Sequence, residues 1–301
     1  MAKKRKKKIR NKKYSGPKTP TQPSSFKKFE DCVKQAKKSV YLIARGRIVQ
    51  KDGKENINWT TIGTGFIAAP KKFVTASHVI SDPTKGELQQ HKEGDKYYLI
   101  KHDDEDNWHF RFWEPKLDED LFLYPDIDLA IINLEDAFYQ SEEQIFLDRD
   151  IFLRINQDFK TVGSDIGVLG YPLCQLQFEN QDLAKPNIGN VLLRCDKGVI
   201  NSRYKTSEKH YLYEFTLAFN PGNSGGPIFD VNTGRLISIV RGFKSIPINI
   251  KEIELTEKLK KEIPISKYSE ESYLAVTQAS YSIGFATPSF AEVFKKHKII
   301  Q

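Results

Sequence analysis

The sequence predicts an all-β protein with a short helix near each end. Short apolar runs alternate with turn residues from about residue 38 to residue 288, which is typical of antiparallel strands joined by hairpins. Before them, apolar residues recur at helical spacing after the capping residue Ser25, at Phe26, Phe29, Val33 and Ala36. After them, Pro288 begins a second predicted helix.

The segment from Asn220 to Pro227 is the strongest functional signal in the chain. It sets Ser224 among glycines, in the order Asn-Pro-Gly-Asn-Ser-Gly-Gly-Pro. A serine nucleophile needs a base to take its proton and N–H donors for the oxygen that becomes negative. The predicted oxyanion hole is Gly222, Asn223 and Ser224, with the amides of Gly222 and Ser224 as donors. The same residue types also form ordinary turns, so the segment alone leaves both interpretations open.

Two upstream segments supply the partners that a serine nucleophile requires. His78 follows the apolar run Phe73–Ala76, and Asp126 and Asp128 precede the apolar run Leu129–Ile132. A lone histidine beside a strand is usually structural, and an aspartate there is usually a cap or turn residue. The conjunction of all three predicts general-base chemistry.

The order His78, Asp128, Ser224 resembles the chymotrypsin-fold serine proteases, and most closely their HtrA (Deg) branch. Gly63-Thr64-Gly65-Phe66 stands where that branch reads Gly-Ser-Gly-Phe, and its aspartate precedes Ile/Leu-Ala, which selects Asp128 over Asp126. Further matching motifs are Gly234–Ile239 and Ser282–Ser289. The resemblance implies two six-stranded antiparallel β-barrels.

The resemblance also implies a role for each residue of the triad. Ser224 would attack the peptide carbonyl, His78 would act as base and then as acid, and Asp128 would orient the imidazole. In trypsin-type zymogens an aspartate before the serine pairs with a newly cut N-terminus. Neutral Asn223 cannot form that ion pair, so we expect no activation by N-terminal cleavage.

The expected organisation is a tail, two barrels and a linker between them. The predicted segments are a basic tail and linker (1–24), an entry helix and first barrel (25–140), an inter-barrel linker (141–160), and a second barrel with the last helix (161–301). The PDZ modules of most HtrA proteins are expected to be absent, which leaves substrate choice to the cleft, the tail, the insertions or a regulatory partner protein. The insertions relative to the family are 82–118, 173–190 and 243–280.

The primary specificity pocket is predicted by alignment with the same family. Its predicted lining is Ala218 at the base, Val240, Arg241 and Gly242 on one wall, and Ile283 and Gly284 on the other. No acidic residue stands at the base, so cleavage after Lys or Arg is not expected. A small aliphatic residue is the default, and an Arg241 side chain that turns inward would favour an acidic or polar one.

The net charge of +8 is concentrated at the N-terminus. Residues 1–13 hold nine Lys or Arg and no acid, so the rest of the chain is close to neutral. Such a run fits non-specific contact with nucleic acid or an anionic surface. The alternative is a disordered, solvated tail.

Cysteine content and hydropathy indicate a cytoplasmic protein. Cys32, Cys174 and Cys195 are odd in number and have no metal-ligand spacing. Cys174 and Cys195 could approach each other, but buried free thiols are the favoured interpretation. No transmembrane stretch or signal peptide is evident, and the acidic cluster His102–Asp106 lacks regularly alternating oxygen ligands, so neither metal nor cofactor is predicted.

Three functions therefore stay open at this point. The first is an intracellular serine endopeptidase that cleaves one or a few proteins, in a stress or defence role. The second is a binding or scaffold protein with the protease fold and an occluded site. The third is a nucleic-acid-binding protein that uses residues 1–13.

Overall fold

Most of the described chain lies in β-strands. The computed structural model describes residues 28–51, 54–82, 87–88, 96–102, 110–113, 120–134, 152–172, 174, 176–178, 186–188, 192–206, 208–245 and 280–301. Within these ranges the α-helices are α1 (Phe29–Ala36), α2 (Ser77–Ile80) and α3 (Ala291–Lys296), and 3₁₀ turns cover Lys37–Ser39, Pro125–Ile127 and Thr287–Phe290. The predicted N-terminal tail, Ser25, Phe26 and most of the insertion 243–280 lie outside the described residues, as do residues 103–106 of the acidic cluster.

The strands of the first half of the chain form a seven-stranded antiparallel sheet and one separate pair. They are β1 (Val40–Lys51), β2 (Lys54–Ala69), β3 (Lys72–Thr75), β4 (Ser81–Asp82), β5 (Glu87–Leu88), β6 (Lys96–His102), β7 (Phe110–Trp113), β8 (Leu121–Tyr124) and β9 (Leu129–Asn133). Seven of them lie in the order β7-β6-β1-β2-β3-β9-β8, and β4 pairs with β5 separately. The hairpin of β6 and β7 falls within the insertion 82–118, and β7 adds a strand to the six that were predicted.

The second half forms a closed six-stranded barrel. Its strands are β10 (Asp165–Gly170), β13 (Arg194–Lys205), β14 (Tyr211–Phe215), β15 (Pro227–Asp230), β16 (Leu236–Ser245) and β17 (Ser280–Ala286), with β11 (Leu176–Phe178) paired to β12 (Pro186–Ile188) outside it. The barrel closes in the order β10-β13-β14-β17-β16-β15. The predicted all-β, chymotrypsin-like architecture is confirmed.

Strands of the first sheet bury side chains on both faces. Along β1, Tyr41 and Ile43 belong to one apolar cluster, while Leu42 and Ala44 belong to another that also includes Phe229 of the second barrel. This is the alternation expected of a strand, whose successive side chains point to opposite faces. The shared cluster therefore joins the two halves, and α1 and α3 pack on it.

One register contact fixes where the candidate site forms. Strands β3 and β9 are adjacent and antiparallel, with Thr75 opposite Ala130. The end of β3 therefore lies beside the start of β9. His78 follows the first and Asp128 precedes the second, so the strand pairing alone brings them to one edge of the sheet.

A buried ion pair ties the segment before β10 to β15. The side chain of Asp230 is 4% exposed and pairs with Lys160, which is 27% exposed. Burial by itself raises the pKa of Asp230, but hydrogen bonds from Lys160, the Asn232 amide and Thr233, together with the charge of Lys160, bring that pKa below its ordinary value. The carboxylate is therefore held ionised by its partners.

We expect Lys160→Met to lower the free energy of unfolding at neutral pH by about 3 kcal/mol, because it leaves a buried carboxylate without its cation. The pKa of Asp230 is depressed in the fold, so this stabilisation is present above the ordinary value of 3.8 and is lost as the pH falls through the depressed value. The difference between wild type and variant should shrink there. Chemical denaturation as a function of pH measures it. Lys197→Met is the matched control, since Lys197 and Asp165 form an exposed pair that should contribute about 0.5 kcal/mol.

His297 links the C-terminal segment to the turn that precedes Asp128. Its Nε2 lies 2.6 Å from the Tyr124 hydroxyl, and the tautomer with its proton on Nδ1 accepts the hydrogen bond from that hydroxyl. Burial, followed by the charges of Lys72 and Lys296, lowers the pKa of His297 below 6.5. The folded state therefore favours the uncharged imidazole.

We expect the wild type to lose stability as the pH falls below 6.5, because the unfolded chain binds a proton at His297 before the folded chain does. His297→Gln keeps an acceptor for Tyr124 but does not titrate, so its stability should depend less on pH in this window. Thermal unfolding from about pH 8 to about pH 5 compares them. Equal pH dependence of the two proteins would contradict the prediction.

Candidate active site

His78 lies on the single-turn helix α2, directly after β3. Its Nδ1 is 2.8 Å from Oδ2 and 3.0 Å from Oδ1 of Asp128, and its backbone N–H donates to Oδ1 at 3.0 Å. The side chain of His78 is 29% exposed and that of Asp128 is 9% exposed. The carboxylate thus fixes both the backbone and the ring of His78, and leaves Nε2 as the free nitrogen of the ring.

Asp128 reaches this position through an unusual backbone conformation. It ends the 3₁₀ turn Pro125–Ile127 with φ of 50° and ψ of 47°, the left-handed region that Asp tolerates better than most residues. The hydroxyl of Ser77 also donates to Oδ1, at 3.0 Å. Asp126, two residues earlier, is exposed. The structure therefore places Asp128, and not Asp126, beside the imidazole.

Ser224 lies at the end of a tight turn that requires glycine. The Asn223 amide donates to the Asn220 carbonyl at 3.0 Å, and Gly222 has φ of +97°. Proline at the second position and a positive φ at the third are the features of a type II turn. Within the described residues, neither the Gly222 amide nor the Ser224 amide donates a hydrogen bond. Both remain open to an acceptor.

The serine turn packs against the segment that carries His78. A Cβ on Gly225, whose φ is +80°, would lie 2.0 Å from Thr75 Oγ1 and 2.9 Å from the Ala76 amide. A Cβ on Gly63 would lie 2.6 Å from the Val79 side chain and 3.0 Å from the Ser224 carbonyl. The two glycines therefore permit a close approach of the two halves. Among the described residues no hydrogen bond links the Ser224 hydroxyl to His78, and such bonds often tighten only when substrate binds.

Thr64 is a site residue whose role the sequence did not reveal. It is fully buried on β2, and its hydroxyl donates to the Gly222 carbonyl at 2.6 Å while accepting from the Tyr171 amide at 2.9 Å. Its amide donates to the Ser224 carbonyl at 2.8 Å. One residue of the first sheet thus holds the turn that carries Ser224. The sequence signal that could have indicated this role is the Gly-Thr-Gly-Phe motif at residues 63–66.

Asn223 is buried, with 2% of its surface exposed. A Cβ on Gly170 would lie 2.4 Å from its Oδ1, so the side chain packs directly on the backbone of β10. Among the described residues its Nδ2 has no hydrogen-bond partner. Packing and backbone hydrogen bonds, rather than an ion pair, hold this side chain.

The residues predicted to line the primary specificity pocket lie on β16, on β17 and before the serine turn. Val240 is fully buried in the core of the barrel, whereas Gly242, Ile283 and Gly284 lie side by side on β16 and β17. Ala218 is exposed between Leu217 and Phe219, which are tied to β17 by the Ser282 hydroxyl. Ser282 was not among the residues predicted to line the pocket. The Arg241 side chain turns toward Asp128, with 3.7 Å between its Nε and Oδ2.

The three cysteines are free thiols. Burial, with smaller contributions from Asp230 and Cys195, raises the pKa of Cys32 to about 12, and burial with Asp196 raises that of Cys195 to about 12. Burial also raises the pKa of Cys174. Protonated, buried thiols are chemically inert. In the described part of the chain no group of three or more His, Cys, Asp or Glu residues could hold a metal ion, and no helix there is long and apolar enough to cross a membrane.

Comparison with known proteins gives the same assignment as the motifs. The profile of the trypsin-like peptidase domain matches residues 63–239, well over half of the chain. A search of curated proteins found no match.

Among solved structures, the chain is similar to the HtrA-type protease AlgW with a decapeptide, at 14% identity and a TM-score of 0.55, with 89% of this chain and 67% of that chain covered. An AlgW variant with a decapeptide aligns at 13% identity and a TM-score of 0.51, over 90% of this chain and 68% of that one. At such identities the likeness concerns the fold. Together with the profile match, it shows that this chain is a serine protease of the trypsin-like peptidase domain family.

Proposed function

We propose that this chain hydrolyses peptide bonds of protein substrates through Ser224, His78 and Asp128. The observation that carries the proposal is the His78–Asp128 contact, 2.8 Å between Nδ1 and Oδ2, beside a serine turn with two unoccupied N–H groups. A carboxylate on Nδ1 fixes the tautomer that leaves a lone pair on Nε2. That nitrogen is the base that Ser224 needs.

The reaction proceeds in two halves. Ser224 Oγ attacks the carbonyl carbon as its proton passes to His78 Nε2, and the carbonyl electron pair moves to oxygen. The tetrahedral intermediate collapses, the C–N bond breaks, and His78 gives its proton to the leaving amine. Water then repeats the sequence on the acyl-enzyme, which returns Ser224 and releases the carboxylic acid.

The amides of Gly222 and Ser224 are the proposed oxyanion donors. Their freedom from other acceptors in the described residues supports this role. Asn223 contributes by fixing the turn between them, since its amide donates to Asn220 and its carbonyl accepts from Gly226 at 2.9 Å. Donors that are already in place stabilise developing charge without further reorganisation.

The absence of a carboxylate at Asn223 supports control that does not involve a new N-terminus. The buried amide side chain offers no negative charge to pair with an ammonium group. We therefore propose that the oxyanion turn is set by packing, by association or by substrate. The free thiols support action in an intracellular, reducing compartment, and we propose limited proteolysis of specific proteins there.

We expect an active-site fluorophosphonate to label the wild type once, at Ser224, as read by intact mass. Ser224→Ala should not label and should lose on the order of 10⁶ in turnover. Ser164→Ala is the matched control, because the Ser164 hydroxyl contacts that of Thr161 at the surface and should leave labelling unchanged. No labelling of the wild type would contradict the proposed activity and favour a scaffold with the protease fold.

We expect Thr64→Val to lower kcat by about tenfold or more, with a smaller change in KM, because it removes the hydroxyl that holds the Gly222 carbonyl. Thr64→Ser keeps that hydroxyl and should retain most of the activity. Steady-state kinetics on a cleaved peptide, with thermal melting as a check of folding, compare the two. A larger loss in Thr64→Ser than in Thr64→Val would show that the methyl group, and not the hydroxyl, matters.

A further inference from the structure

Arg241 places a cation next to the buried carboxylate of the site. Its Nε lies 3.7 Å from Asp128 Oδ2, and its guanidinium carbon lies 5.1 Å from the centroid of the Phe285 ring. The 3.7 Å separation makes this an ion pair without a hydrogen bond. The side chain of Arg241 is 44% exposed and that of Asp128 is 9% exposed. The guanidinium therefore faces solvent on one side and the carboxylate on the other.

The hydrogen-bonding capacity of this guanidinium is unused. Arginine carries five N–H donors in a planar fork, and within the described residues none of those of Arg241 donates a hydrogen bond. The ion pair with Asp128, at 3.7 Å, leaves these donors available to another acceptor. The cation–π contact with Phe285 favours this position of the group, and a planar fork fits a carboxylate with two parallel hydrogen bonds.

Arg241 and His78 contact the same oxygen of Asp128. Oδ2 lies 2.8 Å from His78 Nδ1 and 3.7 Å from Arg241 Nε. When His78 accepts the serine proton, two positive charges flank this one carboxylate and repel each other. A negative charge bound to the exposed side of Arg241 would offset that repulsion at the step in which it arises.

We propose that Arg241 is a specificity-determining residue that binds an Asp or Glu side chain of the protein substrate near the scissile bond. The bound carboxylate accepts from the guanidinium fork while Asp128 stays paired with His78. Because it offsets the repulsion between Arg241 and the protonated His78, it increases the rate of the chemical step as well as substrate affinity. The inference rests on the proposed function, since it requires His78 to act as the base.

The test begins with the full chain and a mixed peptide library in which every position contains acidic and neutral residues. Cleavage sites are read by mass spectrometry, and the preferred acidic position is then built into two fluorogenic peptides that differ only by Glu or Gln. We expect kcat/KM for the Glu peptide to exceed that for the Gln peptide by about tenfold. Part of this ratio should lie in kcat.

Variants separate the charge of Arg241 from its packing. Arg241→Gln should bring the Glu-to-Gln ratio close to one, and Arg241→Lys should give an intermediate ratio, because it keeps the charge but loses the fork. Arg235→Gln is the matched control, since Arg235 is exposed at the turn before β16 and should keep the wild-type ratio. Added salt should lower the wild-type ratio, which provides a test that needs no variant.

Fluorophosphonate labelling of each protein distinguishes a failure of the proposed function from a failure of the proposed role of Arg241. An unlabelled wild type would contradict the proposed function. A labelled wild type that cleaves no library peptide would contradict peptide-bond hydrolysis as the proposed function, whereas one that cleaves library peptides without acidic preference would overturn only the role of Arg241. The role of Arg241 would also be overturned if Arg241→Gln keeps the wild-type ratio. A preference for the Glu peptide that lies only in KM would overturn the proposed effect on the chemical step.

Discussion

The buried carboxylate of Asp128 is the group on which the site depends. A charge with 9% exposure is stable only when it is paired and hydrogen-bonded. The Asp128 carboxylate contacts the Ser77 hydroxyl, the His78 backbone amide and the His78 ring. Because these partners belong to adjacent residues on α2, the same contacts that solvate the charge also orient the imidazole. The contacts that stabilise the buried charge therefore also set the geometry of the site, and they account for the left-handed conformation of Asp128.

The second constraint is the contact between the two halves of the fold. The proposed nucleophile, Ser224, belongs to the second half of the fold and the proposed base, His78, to the first, so their separation depends on how the halves meet. Thr64 sets that distance, because its backbone amide and hydroxyl both bind the serine turn. Gly225 allows the approach, since a Cβ there would clash with Thr75 and Thr64 across the interface, and a Cβ on Gly63 would lie only 3.0 Å from the Ser224 carbonyl. The glycines of both motifs thus serve close packing as well as turn geometry.

Sequence patterns were sufficient for the fold and for the neighbourhood of the site, because both follow from local rules. Strand periodicity and the glycine turn are local, and the order of motifs carried the family resemblance. The direction of the Arg241 side chain and the bridging role of Thr64 were not predictable, because they depend on groups far away in the chain. The hairpin β6–β7 was missed because polar, charged residues around it outweighed its apolar runs.

Asn223 gives the serine turn a neutral side chain at a buried position. Its Nδ2 is buried without a partner among the described residues, and an unmet donor of this kind costs about 1–3 kcal/mol. The turn holds it there because two backbone hydrogen bonds and the Thr64 hydroxyl fix the surrounding residues. A carboxylate at this position would need a cation, whereas an amide needs only an acceptor. Any group that regulates the turn through Asn223 should therefore offer a carbonyl or carboxylate oxygen and not an ammonium group.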